Sequence, residues 1–578
     1  MKISFLARIN EDLAERRTKI VFADSPDFSI QLSGDNYEFM AWGDPIYDEG
    51  FHSGLSLHRS TKYITENLSG HYYFCFNDLA RDEITFGTSP FSIVPVHYCM
   101  RGPDLILSDN VFTIAGYTGL RNASARFIIE SLLFNYPLYN CSLVEGISLL
   151  ESGSALVAGR GGLKIVRHTA PEEWFSPDPE PWRESVPAMT DIFLREVARY
   201  LPGEHYLTAL TGGFDSRTLA AAGLYHGRTF TGYCFGSAPE GDLGMAAEIS
   251  YRAGIPFVPV LLDAEYVRNH SLEAGKEFVI NSSGTGTFSR AHYIYAATML
   301  GSNARYIVTG NFGSEVLRTV HSPGVMVSPL LYRLFMADEP RQTLAFLKES
   351  PLLRFIPTYV VDNELQKIEE DVSALPCFNI RYRGLSRNMQ LYLYILEETF
   401  RKYFGSEIAG QWSRVINRTP FLDRNFLREL FSTGLAGIHS GFMENHPGRR
   451  YKGQILYASI ITRAAPQLGK FVTDKGYRPD DLLTLTGKAR IMAGWLRKRT
   501  FPGMHSPADP MAVQVAWDHN RAMYESLPVS DDLFNKRETD LLRGPGFSME
   551  KARLYSLIFA ADYLRHLPKP DGQDIPAY

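Results

Sequence analysis

The hydrophobic and polar positions divide the chain into two parts with different periodicities. Before about residue 170, short β-branched and aromatic runs alternate with turn residues, for example at 71–76, 93–98 and 104–108. Such runs predict a β-rich unit. Residues 175–182 carry three prolines, a composition typical of a linker. We therefore expect a first domain over 1–174, a linker over 175–185 and a second domain over 186–578.

After the linker, apolar runs of strand length alternate with helical patterns. This alternation predicts a parallel sheet whose ligands bind at the carboxyl edge of the strands. From about residue 330 onward the pattern is mostly helical, for example over 389–403. The second part is therefore predicted to be α/β with helical additions. The apolar strands are expected at 206–210, 229–235, 257–262 and 305–309, and a helix is expected over 243–253.

A glycine-containing loop follows the first of these strands. Residues 206–217 read Tyr-Leu-Thr-Ala-Leu-Thr-Gly-Gly-Phe-Asp-Ser-Arg and run from a strand into a helix. Glycines at such a turn let the backbone approach a ligand closely, and the following helix start attracts phosphate. Asp215 adds a carboxylate that is suited to Mg²⁺. The segment predicts a phosphate site, and an ordinary glycine turn is the alternative.

Composition narrows the function classes. The chain has 578 residues, of which 45% are hydrophobic and 21% charged, as in a soluble protein of several domains. A net charge of −5 without a basic run argues against nucleic-acid binding. The five cysteines lack a zinc-ligand spacing and are expected to be buried hydrophobes. Because neither a membrane-spanning run nor a signal peptide is predicted, we expect a cytoplasmic protein without membrane contact.

Motifs in both parts resemble one family. Residues 211–216 resemble the Ser-Gly-Gly-x-Asp-Ser pyrophosphate loop of ATP pyrophosphatases, with Thr211 in place of the first serine. The chain is thereby similar to the asparagine synthetase family. The resemblance implies an N-terminal αββα Ntn-hydrolase-like domain, of the class II glutaminase type, joined to a parallel-sheet ATP-pyrophosphatase domain. Further segments that resemble the family are 70–78, 86–98, 144–153, 309–315 and 418–423.

The first departure from the family concerns glutamine hydrolysis. Family glutaminases use an N-terminal cysteine, whose thiol attacks glutamine while its own amine acts as the base. Here position 2 is Lys2, and the first cysteine, Cys75, lies inside a predicted strand. No counterpart of the family's glutamine-holding segment is present. We expect the glutaminase activity to be lost, as in the β-lactam synthetases and lasso-peptide cyclases that the chain resembles.

The second departure lies in the loop at 309–315. The acidic pair of the family falls at Ser314 and Glu315, so that the first acid is replaced. Either Glu315 takes over the Mg²⁺ role together with Asp215, or the metal site is weakened and the chain is an inactive relic. Because residues 211–216 keep the motif, we favour an active enzyme.

The resemblance implies an ATP-dependent, AMP-forming amide ligase that needs ATP and Mg²⁺. A carboxylate on a small molecule, peptide or saccharide would be adenylated, and ammonia or a substrate amine, inter- or intramolecular, would then displace AMP. A non-catalytic member that binds nucleotide or a partner is the alternative. Thiolation of tRNA and NAD synthesis are disfavoured by the glutaminase-like first part. A homodimer is one expected assembly, and the sequence does not fix the oligomeric state.

Several residues are predicted to form the site by this resemblance. Asp215 and Lys475 are the expected catalytic residues, and Asp215 with Glu315 is the expected metal pair. For Lys475, which lies beside a glycine turn, a solvated surface lysine is the alternative. Arg217 is expected either to touch the departing phosphate or to pair with an acid. The nucleotide contacts are expected at Leu210, Thr211, Gly212, Gly213, Asp215, Ser216, Arg217, Phe235, Thr309 and Gly310.

Two further pairs are assigned with their alternatives. Glu397 and Glu398 end an aromatic helix where related enzymes place substrate-handling acids, and at most one can face the site. Glu398 is the catalytic candidate, although a solvated acid is the favoured interpretation for each. Arg418 and Asp423 are expected to be structural ion partners and not catalysts.

Overall fold

The computed structural model describes residues 2–12, 17–237, 241–318, 320–337, 339, 341–446, 451–500 and 512–568. The fold is α/β, with two antiparallel sheets, one parallel sheet and many helices. Within the described ranges, none of the helices combines the length and the apolar composition needed to cross a membrane.

The first 167 residues form two antiparallel sheets. One has the strand order β2-β1-β8-β7-β9, and the other has the order β11-β10-β6-β5-β4-β3. Strand β7 begins only at His97, after Pro95, so the predicted strand at 93–98 is wrong in its first half. The strands are β1 (Leu6–Asp12), β2 (Arg17–Asp24), β3 (Phe28–Gly34), β4 (Tyr37–Gly43), β5 (Tyr72–Asp78), β6 (Glu83–Thr88), β7 (His97–Arg101), β8 (Asp104–Ser108), β9 (Ser148–Leu149), β10 (Ser154–Gly159) and β11 (Gly162–Arg167).

The period-two pattern of β5 explains how the two sheets are layered. Tyr73 and Cys75 face the other sheet, where the Phe5 ring lies 5.1 Å from the Tyr73 ring. Phe74, on the opposite face, packs with helices α1 (Phe51–His58) and α2 (Thr61–Asn67). Helix α3 (Val111–Thr118) packs on the five-stranded sheet, and α4 (Ala125–Phe134) follows it. The order of these layers is helix, sheet, sheet and helix.

The connection to the second part ends earlier than the predicted linker. After β11, residues Pro171–Trp174 make one 3₁₀ turn, and helix α5 (Trp182–Tyr200) begins inside the predicted linker. The parallel sheet then has the order β14-β13-β12-β15-β16, in which the four strands from β12 to β15 lie close to the predicted positions and β16 was not predicted. Its strands are β12 (Tyr206–Ala209), β13 (Phe230–Gly236), β14 (Phe257–Leu261), β15 (Tyr306–Val308) and β16 (Ile416–Arg418).

The order of the parallel strands determines where the loops meet. Strands β13 and β14 extend from one side of β12, whereas β15 and β16 extend from the other side. After adding β13 and β14 on one side of β12, the chain therefore crosses over and adds β15 and β16 on the other side. The loops after β12 and β15 lie side by side at this switch point, which is where open α/β sheets bind their ligands.

The helices complete the second part. The predicted helix at 389–403 is present, but its second half, Ile395–Phe404, is π-helical. The labelled helices are α6 (Phe214–Tyr225), α7 (Gly241–Ala253), α8 (Ser271–Asn281), α9 (Ala291–Gly301), α10 (Gly313–Leu317), α11 (Pro329–Met336), α12 (Arg341–Lys348), α13 (Thr358–Ala374), α14 (Arg387–Tyr394), α15 (Gly405–Gln411) and α16 (Arg424–Phe431). Further helices follow at Lys452–Ala464, Pro479–Leu483, Leu485–Thr500, Ala512–Glu525, Lys536–Leu541 and Met549–Arg565.

The two parts share one hydrophobic core. A single cluster of buried side chains runs through both parts. At the interface between them, here called the joint, the centres of the Tyr73 and Trp412 rings are 5.9 Å apart. Arg418 forms a two-fold hydrogen-bonded ion pair with Asp44 of the first part, at 2.8 and 2.9 Å. The predicted structural role of Arg418 is confirmed. Asp423 instead caps α16, where its carboxylate accepts a hydrogen bond from the Phe426 N–H at 2.9 Å.

Candidate functional site

The loop between β12 and α6 is closed by its own hydroxyl groups. The Thr211 N–H donates to Ser216 Oγ at 3.0 Å, and the two hydroxyl oxygens lie 2.9 Å apart. The Gly213 N–H donates to Thr211 Oγ1 at 3.1 Å. The Gly212 N–H points to Asp242 Oδ1 at 3.3 Å. Thr211 thus keeps the hydroxyl that the first serine of the family motif would supply.

The loop after β15 touches this turn through a glycine. A Cβ atom on Gly310 would lie 2.8 Å from Asp215 Cβ and 3.0 Å from the Asp215 carbonyl carbon. Because these neighbours are backbone or directly attached to it, no side chain fits at this position. Thr309 before it is buried, and its hydroxyl donates to Asn417 Oδ1 at 2.7 Å. The two loops are therefore in backbone contact.

Asp215 lies between the two loops. Its Oδ2 accepts a hydrogen bond from Ser314 Oγ at 2.6 Å. Its Oδ1 is buried and has no well-formed hydrogen bond within the described ranges, although the Tyr457 hydroxyl is close enough to interact with the carboxylate. The Tyr457 side chain is buried beside it, and burial together with the charge of Asp215 raises the pKa of the Tyr457 phenol. A buried carboxylate oxygen without a partner costs free energy, which a ligand that binds it would recover.

Glu315 is a second acid whose charge is opposed by that of Asp215. Burial, and then the charge of Asp215, raise the pKa of Glu315 to about 7. A divalent cation shared by the two carboxylates would remove their repulsion. Mg²⁺ in phosphate sites is held by one or two carboxylates together with phosphate oxygens. The residues present fit such an ion, whereas the described ranges contain no group of three or more His, Cys, Asp or Glu that could hold a metal.

Arg318 is a member of the site that the sequence analysis missed. It follows α10, and its guanidinium donates a hydrogen bond to Ser314 Oγ. Burial opposes its charge, but the carboxylate of Asp215 and that of Glu315 raise the pKa of Arg318. The signal was its position four residues after Ser314, one helical turn further along the chain.

The turn that carries these residues contains a strained residue. Phe312 has φ = +72°, in the left-handed region that side chains other than glycine rarely adopt. Its ring lies 4.8 Å from the Phe400 ring and 4.5 Å from the Phe404 ring, between centroids. Packing on the π-helical segment therefore holds a conformation that costs about 1–3 kcal/mol. The left-handed conformation of Phe312 lies at the turn between β15 and α10, after which Ser314 contacts Asp215.

Arg217 has a different role from the predicted ones. Its side chain is fully buried, and burial lowers the pKa of its guanidinium to about 10. It donates to the backbone carbonyls of Phe471 at 2.7 Å and Val472 at 3.2 Å, and also to those of Leu468 and Gly212. The predictions of a phosphate contact and of an ion pair are both wrong here, since its hydrogen bonds go to peptide groups. Arg217 fixes residues 468–472 against the loop.

Lys475 lies close to the first turn of α6. Its Nζ is 5.7 Å from the centre of the Phe214 ring and 3.5 Å from Asp474 Oδ2. The Asp474 N–H donates to the Gly212 carbonyl at 3.1 Å, which ties this segment to the loop. The side chain is 29% exposed. The structure thus places the predicted cation beside the loop, and its catalytic role stays a prediction.

Leu210 and Phe235 differ in how far their side chains are buried. Leu210 is fully buried, and its N–H donates to the Tyr233 carbonyl at 2.8 Å. Phe235 is partly buried, and its ring packs 5.3 Å from the His292 ring. A contact of either residue with a nucleotide stays a prediction.

Glu398 does not join the loop, and its prediction as a catalytic acid is corrected. It is buried and paired with Arg401 at 2.8 Å and with Lys402. Those two cations donate to the backbone carbonyls of Pro137, Tyr139 and Leu150 in the first part. The carboxylate is therefore neutralised at the joint. Glu397 pairs with Arg167 of the first part, so neither residue is the solvated acid that the sequence favours.

Comparisons with known proteins add little. A scan of protein-family models and a search of curated proteins found no match. Among solved structures, glutamine phosphoribosylpyrophosphate amidotransferase from B. subtilis, complexed with ADP and GMP, is 10% identical. It covers 56% of this chain and 77% of its own, with a TM-score of 0.18. An allosteric regulatory enzyme of purine biosynthesis is 9% identical over 45% of this chain and 59% of its own, again with a TM-score of 0.18. At this identity and TM-score, the two structures do not indicate a function for this chain.

Proposed function

We propose that the protein is an ATP-dependent amide ligase that forms AMP and pyrophosphate and does not hydrolyse glutamine. An oxygen of the substrate carboxylate attacks the α-phosphorus of ATP. The bond between the α-phosphorus and the α,β-bridging oxygen breaks, and the β- and γ-phosphates leave as pyrophosphate. An amine then attacks the acyl carbon of the adenylate. The C–O bond to AMP breaks with its electron pair, and the amine proton passes to solvent. The product is an amide.

The proposal depends on one observation, the backbone contact of the loops after β12 and β15 around Asp215. Gly310 and Asp215 approach each other more closely than any side chain at position 310 would allow. The start of α6 beside them offers N–H groups to a phosphate. Lys475 and Arg318 bring two cations to the same place. An arrangement of amides and cations around one carboxylate fits a polyphosphate and its metal ion.

Each residue near the loop has a defined part in this reaction. The amides of the α6 start would bind pyrophosphate oxygens and leave the α-phosphorus accessible. Lys475, one residue after Asp474, would neutralise negative charge as pyrophosphate departs. Asp215 and Glu315 would hold Mg²⁺, which supplies positive charge to the phosphates when it is bound. Arg217 would keep the Lys475 segment in position through its carbonyl contacts.

The absence of glutamine hydrolysis is supported by the state of the thiols. A nucleophilic cysteine needs a lowered pKa. Burial instead raises the thiol pKa of all five cysteines, to about 11 for Cys99 and about 12 for the others. Cys75 is fully buried in β5. None of the five thiols is suited to attack glutamine, so an incubation with glutamine should release no ammonia.

The test is pyrophosphate release from ATP and Mg²⁺ in the presence of an extract of small metabolites. Asp215→Asn keeps the shape of the side chain but removes its charge, and we expect at least a hundredfold loss of release. Asp242→Asn is the matched control, because Asp242 also contacts the loop but is not assigned to the metal. Equal release by wild type and Asp215→Asn would contradict the proposal.

A non-catalytic nucleotide-binding protein is the second candidate. It is favoured by Ser314, which occupies the position of the first acid of the family loop and donates to Asp215. This candidate predicts tight binding of ATP with no release of pyrophosphate from any fraction of the extract. Extracts that retain proteins and polysaccharides must be included, because a macromolecular carboxylate would otherwise be missed.

A further inference from the structure

Arg318 is joined to Asp215 through one hydroxyl group. The Arg318 guanidinium donates to Ser314 Oγ, and Ser314 Oγ donates in turn to Asp215 Oδ2 at 2.6 Å. A hydroxyl has one proton and two lone pairs, so it can make both bonds at once. The Arg318 guanidinium is thus separated from the Asp215 carboxylate by a single side chain, that of Ser314.

The position of Arg318 is fixed by its backbone. Its carbonyl accepts a hydrogen bond from the buried Tyr392 hydroxyl at 2.5 Å. The same hydroxyl oxygen accepts from the Val320 N–H at 3.3 Å. Phe312, wedged between two rings, fixes the start of the turn that leads to Arg318. A guanidinium held from both ends of its segment is pre-organised, so little entropy is lost when it binds a ligand.

The chemistry of a guanidinium suits a phosphate. It carries five N–H donors in a planar fork and does not lose its proton in proteins, and Ser314 uses one of these donors. Its acidic surroundings are Asp215, Glu315 and Asp474, which together carry more negative charge than one guanidinium neutralises. Lys475 also lies beside the loop, where it pairs with Asp474. An anion as highly charged as pyrophosphate therefore needs further positive charge, which a single Mg²⁺ would provide.

We propose that Arg318 is a phosphate-binding residue of this site, and that its guanidinium supplies the positive charge that a metal held by an acid at position 314 would supply. The inference deepens the proposed function and rests on the assignment of the two loops to pyrophosphate. Arg318 binds the pyrophosphate portion of the nucleotide directly. The site therefore keeps part of its affinity for pyrophosphate when no divalent cation is present.

The experiment measures binding of inorganic pyrophosphate to the full chain by calorimetry, in excess Mg²⁺ and in EDTA. Wild type is expected to bind in both conditions. Arg318→Gln is expected to lose at least tenfold in EDTA and less in Mg²⁺, and Arg318→Lys to lose less than Arg318→Gln. Arg354→Gln is the control for the change in net charge, since Arg354 is 47% exposed and lies 3.6 Å from Glu550. Thermal unfolding verifies that each variant is folded.

A double substitution separates charge replacement from a merely structural role. Ser314→Asp combined with Arg318→Gln introduces an acid and removes the guanidinium, so binding should recover in Mg²⁺ and stay lost in EDTA. Unchanged affinity of folded Arg318→Gln in EDTA would overturn the inference. If pyrophosphate binds through Arg318 but the wild type never releases pyrophosphate from ATP, the inference stands and the proposed ligase fails.

Discussion

Ser314 donates a hydrogen bond to Asp215 across 2.6 Å, and this bond joins two loops that are 99 residues apart in the chain. The bond exists because β12 and β15 are neighbours in the parallel sheet. The bond satisfies Oδ2 of the half-buried Asp215 carboxylate. The geometry of the candidate site is therefore a property of the sheet order and not of either loop alone.

The contact at Gly310 predicts a steric effect. Gly310→Ala would place a methyl group 2.8 Å from Asp215 Cβ, and we expect a loss of about 1–3 kcal/mol in the free energy of unfolding. Affinity for pyrophosphate should fall as well, because the two loops are pushed apart. Urea denaturation measures the first effect. Gly324→Ala is the matched control, since a Cβ there would meet no atom within 4 Å. Equal stability of both variants would show that the loops separate without cost.

The raised pKa of Glu315 predicts a pH dependence of stability. The pKa is about 7 in the folded protein and near 4.5 when the residue is solvated, so the folded state binds more protons between these values. Stability attributable to Glu315 therefore falls as the pH rises from about 4.5 to 7 and is constant above that range. Glu315→Gln should flatten this part of the profile and stabilise the metal-free protein by about 1–2 kcal/mol at pH 8. Chemical denaturation across this range tests the change. The same profile in Glu315→Gln as in wild type would refute it, and the exposed Glu248→Gln serves as the control.

The buried position of Arg217 predicts loss of stability on substitution. Arg217→Met keeps most of the volume but leaves the carbonyls of Phe471 and Val472 without their donor. We expect a loss of about 3 kcal/mol in the free energy of unfolding, measured by urea denaturation. Exposed Arg463→Met should change stability by less than about 0.5 kcal/mol. A variant as stable as wild type but unable to bind pyrophosphate would restore the phosphate role for Arg217.

The Arg418–Asp44 pair predicts coupling between the two parts of the chain. Asp44→Asn leaves a buried guanidinium without its counter-charge, which costs about 3 kcal/mol. Denaturation followed by tryptophan fluorescence should remain one transition in wild type and shift to lower denaturant in the variant. Asp191→Asn removes the partner of an exposed pair, at 3.4 Å from Arg463, and should change stability by about 1 kcal/mol or less. Equal effects of the two substitutions would contradict a buried, coupling role for Asp44.

Much of the fold follows from local sequence patterns. Four of the five parallel strands lie within one or two residues of their predicted positions, because each is a short apolar run. Strand β16, which has only three residues, was not predicted. The strand at 93–98 was placed wrongly since hydrophobicity alone does not reveal that Pro95 cannot donate to a ladder.

The site was predicted only as far as its motif extends. The loop at 211–216 marks Asp215, but the sequence does not show that Arg217 is buried and donates to peptide carbonyls, because helix phase decides which way each side chain points. Arg318 was missed since no motif contains it, and its role depends on a bond to Ser314. Glu398 was predicted to be a catalytic acid because of its position on the helix. It instead pairs with Arg401 and Lys402, and these two cations donate to carbonyls of the first part, which the sequence does not reveal.

The continuous core across the joint also bears on how such a chain can diverge. The Tyr73 ring of the first part covers Trp412, and the Phe175 ring of the connection covers Phe431, so a fragment that began at α5 would expose both residues to water. Each uncovered ring costs roughly 1.5–3 kcal/mol, and the two together cost an amount comparable to the lower end of the stability of an ordinary domain. Substitutions in the first part that leave these rings covered are therefore compatible with the fold, whereas those that uncover them destabilise the second part as well.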